Sequence, residues 1–168
     1  MSKHISIPPQ TVEISAPERL NETHDLSQFD CEEESINQYL QRAHKHQQSK
    51  SAVVFVICRK DTRVVVGYFT LSSGSILRTK APGQLSRNAP IDVPVFVLGR
   101  MGVDRSIKGL GFGKDLLAAA MEMAMEASGR VGSRALIVTA LNEQLLAFYK
   151  AAGFTQMPDG STMLYLML

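Results

Sequence analysis

Three glycines at alternate positions, Gly109, Gly111 and Gly113, stand between a β-branched run and an amphipathic helical pattern, and this junction constrains the chain more than any other feature. Upstream, Val95-Phe96-Val97-Leu98 continues through Gly99-Arg100-Met101-Gly102-Val103, a predicted strand whose two glycines invite a bulge or the close approach of another backbone. Downstream, Leu116, Leu117, Ala120, Met123, Ala124 and Ala127 share one helical face and Asp115, Glu122 and Glu126 the other, with Gly129 as the expected stop. A strand handed to a helix through such a turn leaves backbone N–H groups free where the helix dipole is positive, with no Cβ to keep an anion away. Lys108 adds a cation beside them. Taken alone, the turn serves structure as readily as it serves a ligand.

Two absences narrow the choice of anion. Lys114 is followed by Asp115, not by serine or threonine, so this is no Walker loop. A dinucleotide fingerprint belongs in the first βαβ unit with an acidic residue about 20 positions on, whereas this turn comes late in the chain. Ahead of it, Ile36, Tyr39, Leu40 and Ala43 predict one amphipathic helix from Glu33 to about Gln48. Ala52 to Arg59 and Val64 to Ser73 follow as a hairpin with the charged tip Lys60-Asp61-Thr62-Arg63, and residues 74 to 94 as a long connection with a short helix near Pro82 to Arg87. Beyond the turn come a strand at Ala135 to Ala140, a helix at Asn142 to Ala152 with Leu141, Leu145 and Phe148 on its apolar stripe, and closing strands at Phe154 to Met157 and Thr162 to Met167. The order is mixed α/β, a mostly antiparallel central sheet flanked by helices, with a pyrophosphate site that is not a dinucleotide site.

At 168 residues and 45% apolar content, residues 1–168 are expected to form a single domain, residues 1–15 being a loosely ordered N-terminal segment. The net charge of +2 excludes a uniformly basic coat, but the distribution is uneven. Eight acidic residues and one Arg lie between Glu13 and Glu34, whereas Arg78, Lys80, Arg87, Arg100, Arg105 and Lys108 face only Asp92 and Asp104 in the later stretch. That split is either scattered surface charge or a basic face for an anionic partner. Cys31 and Cys58 form no disulfide framework and no zinc pattern, so no metal is expected, and neither a leader nor a membrane-spanning run is read, which makes a cytoplasmic protein the expectation.

Three blocks in order carry a family resemblance: Val97-Leu98-Gly99-Arg100-Met101-Gly102-Val103-Asp104, then Lys108-Gly109-Leu110-Gly111-Phe112-Gly113-Lys114-Asp115-Leu116-Leu117, then Asn142 with Phe148-Tyr149-Lys150-Ala151-Ala152-Gly153-Phe154. Together they resemble the acetyl-coenzyme A core of GNAT acetyltransferases, and the resemblance implies the GNAT acyl-CoA N-acyltransferase fold. It also implies that Met101, Gly102 and Val103 pair with the pantetheine amides and that Lys108 to Lys114 cradle the pyrophosphate. Lysine at position 108 departs from the family's arginine or glutamine. By the same resemblance Asn142 bonds the pantetheine arm and Tyr149 protonates the departing thiolate. The plain alternatives are a helix N-cap for Asn142 and core packing beside Phe148 for Tyr149. No general base stands out; Glu143 is one candidate or else a complement to its helix N-terminus, and His24, His44 and His46 are read as solvated.

From about residue 20 onward, Phe29-Asp30-Cys31, Ile36-Asn37-Gln38-Tyr39-Leu40, Val66-Gly67-Tyr68-Phe69-Thr70-Leu71 and Pro94-Val95-Phe96-Val97-Leu98-Gly99-Arg100 resemble a narrower group. These are the bacterial GNAT toxins of toxin–antitoxin pairs, of the TacT and AtaT type, which acetylate the amino acid on aminoacyl-tRNA. This implies acetyl-CoA as co-substrate, an aminoacyl-tRNA acceptor, a ribbon-helix-helix antitoxin partner and a homodimer; an apolar edge near Val95 to Leu98 or the C-terminal strand is the candidate contact. Arg78, Lys80, Arg87 and Arg100 are then the candidate tRNA contacts. Acetylation of a small amine or a protein, and coenzyme A or nucleic-acid binding without catalysis, are the rival readings.

Overall fold

The computed structural model describes residues 12–168. Seven strands form one sheet in the order β1-β2-β3-β4-β5-β7-β6. The strands are β1 (Glu18–Arg19), β2 (Val53–Cys58), β3 (Val65–Leu77), β4 (Asp92–Val103), β5 (Ala135–Thr139), β6 (Thr155–Gln156) and β7 (Met163–Met167). All neighbours are antiparallel except β4 and β5, which run parallel. The mixed α/β architecture with a mostly antiparallel sheet is therefore present. Residues 1–11 lie outside the described residues; Ile14 bridges Arg59, and the Ser15 N–H donates to Cys58 O at 2.8 Å.

Alternation along β2 assigns its two faces. Val54 and Val56 are fully buried with Leu40, Ala43 and Tyr68 beneath α1 (Glu34–Gln41) and α2 (Ala43–Gln48). Ile57, Phe69, Leu98, Leu136 and Val138 pack on the other face against α4 (Phe112–Ser128) and α5 (Glu143–Ala151), which bury Leu116, Leu117, Ala120, Leu146 and Tyr149. A third cluster around Leu85, Val93, Val95 and Ile137 lies under the loop that carries α3 (Gly83–Ser86).

Three expectations change. The single helix from Glu33 is two helices broken at Arg42, whose N–H donates to Tyr39 O at 3.0 Å; the tighter turn still buries Ile36, Leu40 and Ala43, so the apolar stripe survives the break. Both ends of the supposed connection 74–94 are strand, since β3 runs to Leu77 and pairs Leu77 with Asp92, and only the stretch between them, with α3, is loop. Gly74 and Ser75 have weak strand propensity, and register against the apolar β4 places them in the sheet. On α5 the buried residues are Leu146 and Tyr149, while Leu141 is 55% exposed, so the apolar stripe Leu141, Leu145 and Phe148 is not the helix's most buried face.

Candidate active site

The parallel pairing of β4 with β5 ends at Leu98 opposite Val138, yet β4 continues five residues further against β3. The two strands thus part, and Gly99 to Val103 have no strand on their β5 side. A bulge marks the parting: the register slips between Phe69 and Leu71, and the Thr70 hydroxyl accepts from Arg100 N–H at 3.0 Å. A Cβ on Gly99 would come within 3.0 Å of that hydroxyl oxygen, and one on Gly102 within 2.7 Å of Ile36 Cγ2. Glycine at these two positions therefore permits the bulge and the close seating of α1 on β4.

A pocket of about 570 Å³ opens at the parting. Its lining includes Met101, Gly102, Val103, Lys108, Gly113 and Asn142, so residues from all three sequence blocks converge there. Leu141, Leu145 and Phe148 give it an apolar wall. This is where the α5 stripe faces. The opposite wall, Cys31, Glu32, Glu33 and Ile36, was not anticipated; the two glutamates belong to an acidic stretch in which nothing distinguishes them by sequence. Glu143 is not in the lining.

The glycine turn borders this pocket. Gly109 and Gly111 adopt φ of 78° and 87°, the left-handed region that a side chain disfavours, and Gly111 is the N-cap of the 17-residue α4. With no cap side chain, the first-turn N–H groups are left for a ligand. Gly113 has ordinary φ, and a Cβ there would meet Val103 Cγ2 at a comfortable 3.8 Å. Phe112 packs into the core and anchors the helix start, whereas Leu110 is 57% exposed and Lys114 is exposed. Replacing Gly111 with alanine is expected to weaken acetyl-CoA binding about tenfold, since left-handed φ costs an L-residue about 1–2 kcal/mol and relaxing it turns the amides away. Titration calorimetry checks this; unchanged affinity would show that the turn does not hold the donor.

Lys108 points elsewhere. Its Nζ donates to Cys31 O at 2.6 Å and lies 4.0 Å from a Glu32 carboxylate oxygen, so it bridges the two pocket walls. Asn142 caps α5, its Oδ1 accepting from Leu145 N–H at 2.9 Å, and it lines the pocket as well. The Tyr149 ring is packed edge-on between Phe148 and Phe154, at centroid distances of 5.4 and 5.8 Å, and is not among the lining residues. Its hydroxyl has no hydrogen-bond partner among the described residues, and since no fully enclosed side-chain polar atom is unpaired there, it reaches accessible space. Burial pushes its pKa up to about 12.

The basic candidates do not converge on the pocket. Arg78 and Lys80 follow β3 and Arg87 precedes β4, at the far end of a strand that covers roughly 30 Å between Asp92 and Met101 at about 3.3 Å per residue. Arg78 donates to Ala89 O at 2.9 Å, and the Arg100 guanidinium lies 5.4 Å from the Tyr39 ring centroid. His24, expected in solvent, is buried: its Nδ1 accepts from Asn21 N–H at 2.9 Å and its Nε2 meets Glu18 at 2.6 Å. His24, Glu18 and Cys58 are close enough to share an ion, but the Asn21 bond places the ring proton on Nε2, and Arg63 caps the same carboxylate at 2.8 Å. That group is an ion-pair network.

A parted β4, an uncapped helix start after a glycine turn, and α5 on the far side define an acyl-coenzyme A transferase architecture, and residues 19–154 match the acetyltransferase (GNAT) family, to which the chain belongs. It is 38% identical over 155 residues, 92% of both chains, to a tRNA-acetylating toxin of Mycobacterium tuberculosis (strain ATCC 25618 / H37Rv). The structure of AtaT complexed with acetyl-methionyl-tRNAfMet is similar at a TM-score of 0.83 and 32% identity, covering 92% of this chain and 95% of that one. A tyrosine-to-phenylalanine mutant of KacT is similar at a TM-score of 0.84 and 30% identity, over 92% and 94%. AtaTR bound with AcCoA matches at 0.79 and 33%, over 92% and 93%.

Proposed function

We propose that this chain transfers the acetyl group of acetyl-CoA to the α-amine of the amino acid on aminoacyl-tRNA, and so acts as the toxin of a toxin–antitoxin pair. What carries the donor half is the free β4 edge opening beside the uncapped start of α4. The edge of Met101 to Val103 suits the pantetheine amides, as an added strand would, and the turn at Gly109 to Lys114 suits the pyrophosphate. Leu141, Leu145 and Phe148 suit the aliphatic arm. Acetyl-CoA supplies a thioester, an acetyl group activated towards amines. Tyr149 keeps its proton through neutral pH and is the group proposed to deliver it to the departing sulfur. Glu32 and Glu33 make the opposite wall negative, the sign that draws in an ammonium acceptor.

The acceptor half draws on the likeness to the tRNA-acetylating toxin and to AtaT in its complex with acetyl-methionyl-tRNA. A blocked α-amine cannot attack a peptidyl ester, so translation would stop. The hairpin end with Lys80 and Arg87 is a place for a helical stem while the 3′ end reaches the pocket. AtaT has been seen with the C-terminus of its antitoxin AtaR. By extension, a ribbon-helix-helix antitoxin, a homodimer and a cytoplasmic location belong to this reading; no helix among the described residues is long and apolar enough to cross a membrane. Incubation with radiolabelled acetyl-CoA and total charged tRNA should leave label on the tRNA that mild base releases as N-acetyl amino acid. Label on free amines or protein alone would replace the acceptor.

A further inference from the structure

We infer that Asp104 is a positioning residue that fastens the segment Asp30–Glu33 to the root of the glycine turn and so sets the width of the pocket. The inference rests on the acyl-donor reading of that pocket. Asp104 directly follows β4 and is only 8% exposed, and among the described residues it makes no ion pair. Such a carboxylate is costly to bury unless donors surround it. They do: Oδ2 accepts from the N–H of Ser106 at 3.0 Å and from its hydroxyl, and Oδ1 accepts from Asp30 N–H at 2.9 Å, across 74 residues of sequence. Capping the short turn at Arg105–Ile107 needs only the Ser106 bonds. The bond to Asp30 is the one a turn does not require.

From there the tie spreads through the pocket wall. Arg105 N–H donates back to Asp30 O at 2.8 Å. Asp30 Oδ1 accepts from Glu32 N–H at 2.9 Å and from Asn37 Nδ2 at 3.0 Å, and Asn37 Oδ1 accepts from Cys31 N–H at 2.9 Å. Lys108 completes the frame at Cys31 O, at 2.6 Å. Asp30 and Cys31 are thus held directly to the stretch between β4 and the glycines, and Glu32 through the Asp30 carboxylate, which Asn37 also grips. Cys31, Glu32 and Glu33 line the pocket beside Met101 to Val103, with Cys31 and Ile36 seated on Gly102, and Leu141, Leu145 and Phe148 line it from α5. A shift at Asp104 moves Cys31, Glu32 and Glu33 relative to the α5 wall, although Asp104 itself is not in the lining.

Asp104→Asn keeps the shape but turns one acceptor into a donor facing N–H groups. The expected result is a KM for acetyl-CoA raised about tenfold or more with kcat within about twofold, and a thermal midpoint lowered by a few degrees, since charge-assisted hydrogen bonds are the strong ones and an N–H group left facing a donor costs about 1–3 kcal/mol. Asn37→Ala should raise the same KM, and the two changes combined should be less than additive in log KM because they loosen one frame. Wild-type KM in both single variants, or kcat falling with KM unmoved, would overturn the inference. If Asp104→Asn does not fold, Asn37→Ala and Ser106→Ala decide it by the same KM criterion. Failure of the wild-type protein to bind acetyl-CoA in calorimetry would sink the donor reading instead, which separates the two.

Discussion

Replacing Tyr149 with phenylalanine is expected to lower turnover about 100-fold or more while leaving acetyl-CoA affinity within about twofold, because general acid catalysis contributes on that scale. The ring's packing against Phe148 and Phe154 is retained, and no hydrogen bond within the described residues is lost, so the thermal midpoint should hold. The pH profile gives a second check. A tyrosine acts as an acid only in its protonated form, and burial lifts its pKa to about 12, so that form persists as pH rises through neutrality. Rates should climb with pH as the acceptor amine loses its proton, at about 7.7–8.0 for an ordinary α-amine, with no falling limb from Tyr149 in that range. Calorimetry and acetylation of charged tRNA between pH 6 and 9, taken as about one unit or more to either side of that amine value, measure both. Near-normal turnover in the phenylalanine variant would remove Tyr149 from the mechanism.

The parts of the fold legible in the sequence were those where periodicity and backbone demand coincide. Gly109 and Gly111 stand where left-handed φ is needed, and Leu116, Leu117, Ala120 and Ala124 are all buried on α4 as their spacing implies. Long-range pairing was not legible. The strand at Gly74 to Leu77 exists because β4 lies beside it, and Gly74 and Ser75 carry no local signal of that partner. The same limit hid half of the pocket. Cys31, Glu32 and Glu33 come from a loop whose place is set by Asp104, 74 residues downstream of Asp30, and no spacing rule spans that distance. On α5 the apolar pattern was visible but ambiguous, because a helix beside a ligand pocket presents one apolar side to the core and another to the pocket. Leu146 and Tyr149 took the first, Leu145 and Phe148 the second.

Charge reversal at Lys80 and Arg87 together is expected to raise the KM for charged tRNA about 10- to 100-fold near 0.1 M salt, with acetyl-CoA affinity unchanged, and to flatten the salt dependence by roughly one to two in log–log slope. These two are chosen because both side chains are exposed and neither donates a hydrogen bond among the described residues. Their neighbours are already committed. Arg78 holds Ala89 O, Arg134 donates to Arg87 O and Asn88 O, and Arg100 lies over Tyr39, so reversing any of them would also loosen the hairpin loop or α1. A loss of activity there would not distinguish a phosphate contact from a structural one. The salt slope does distinguish them, because only a residue that neutralises phosphate releases counterions. A double reversal that leaves both the tRNA KM and the salt slope at wild-type values would mean that the stem does not pass over the hairpin end. Lys108, the cation in the pocket lining, would then be left to meet the 3′ end.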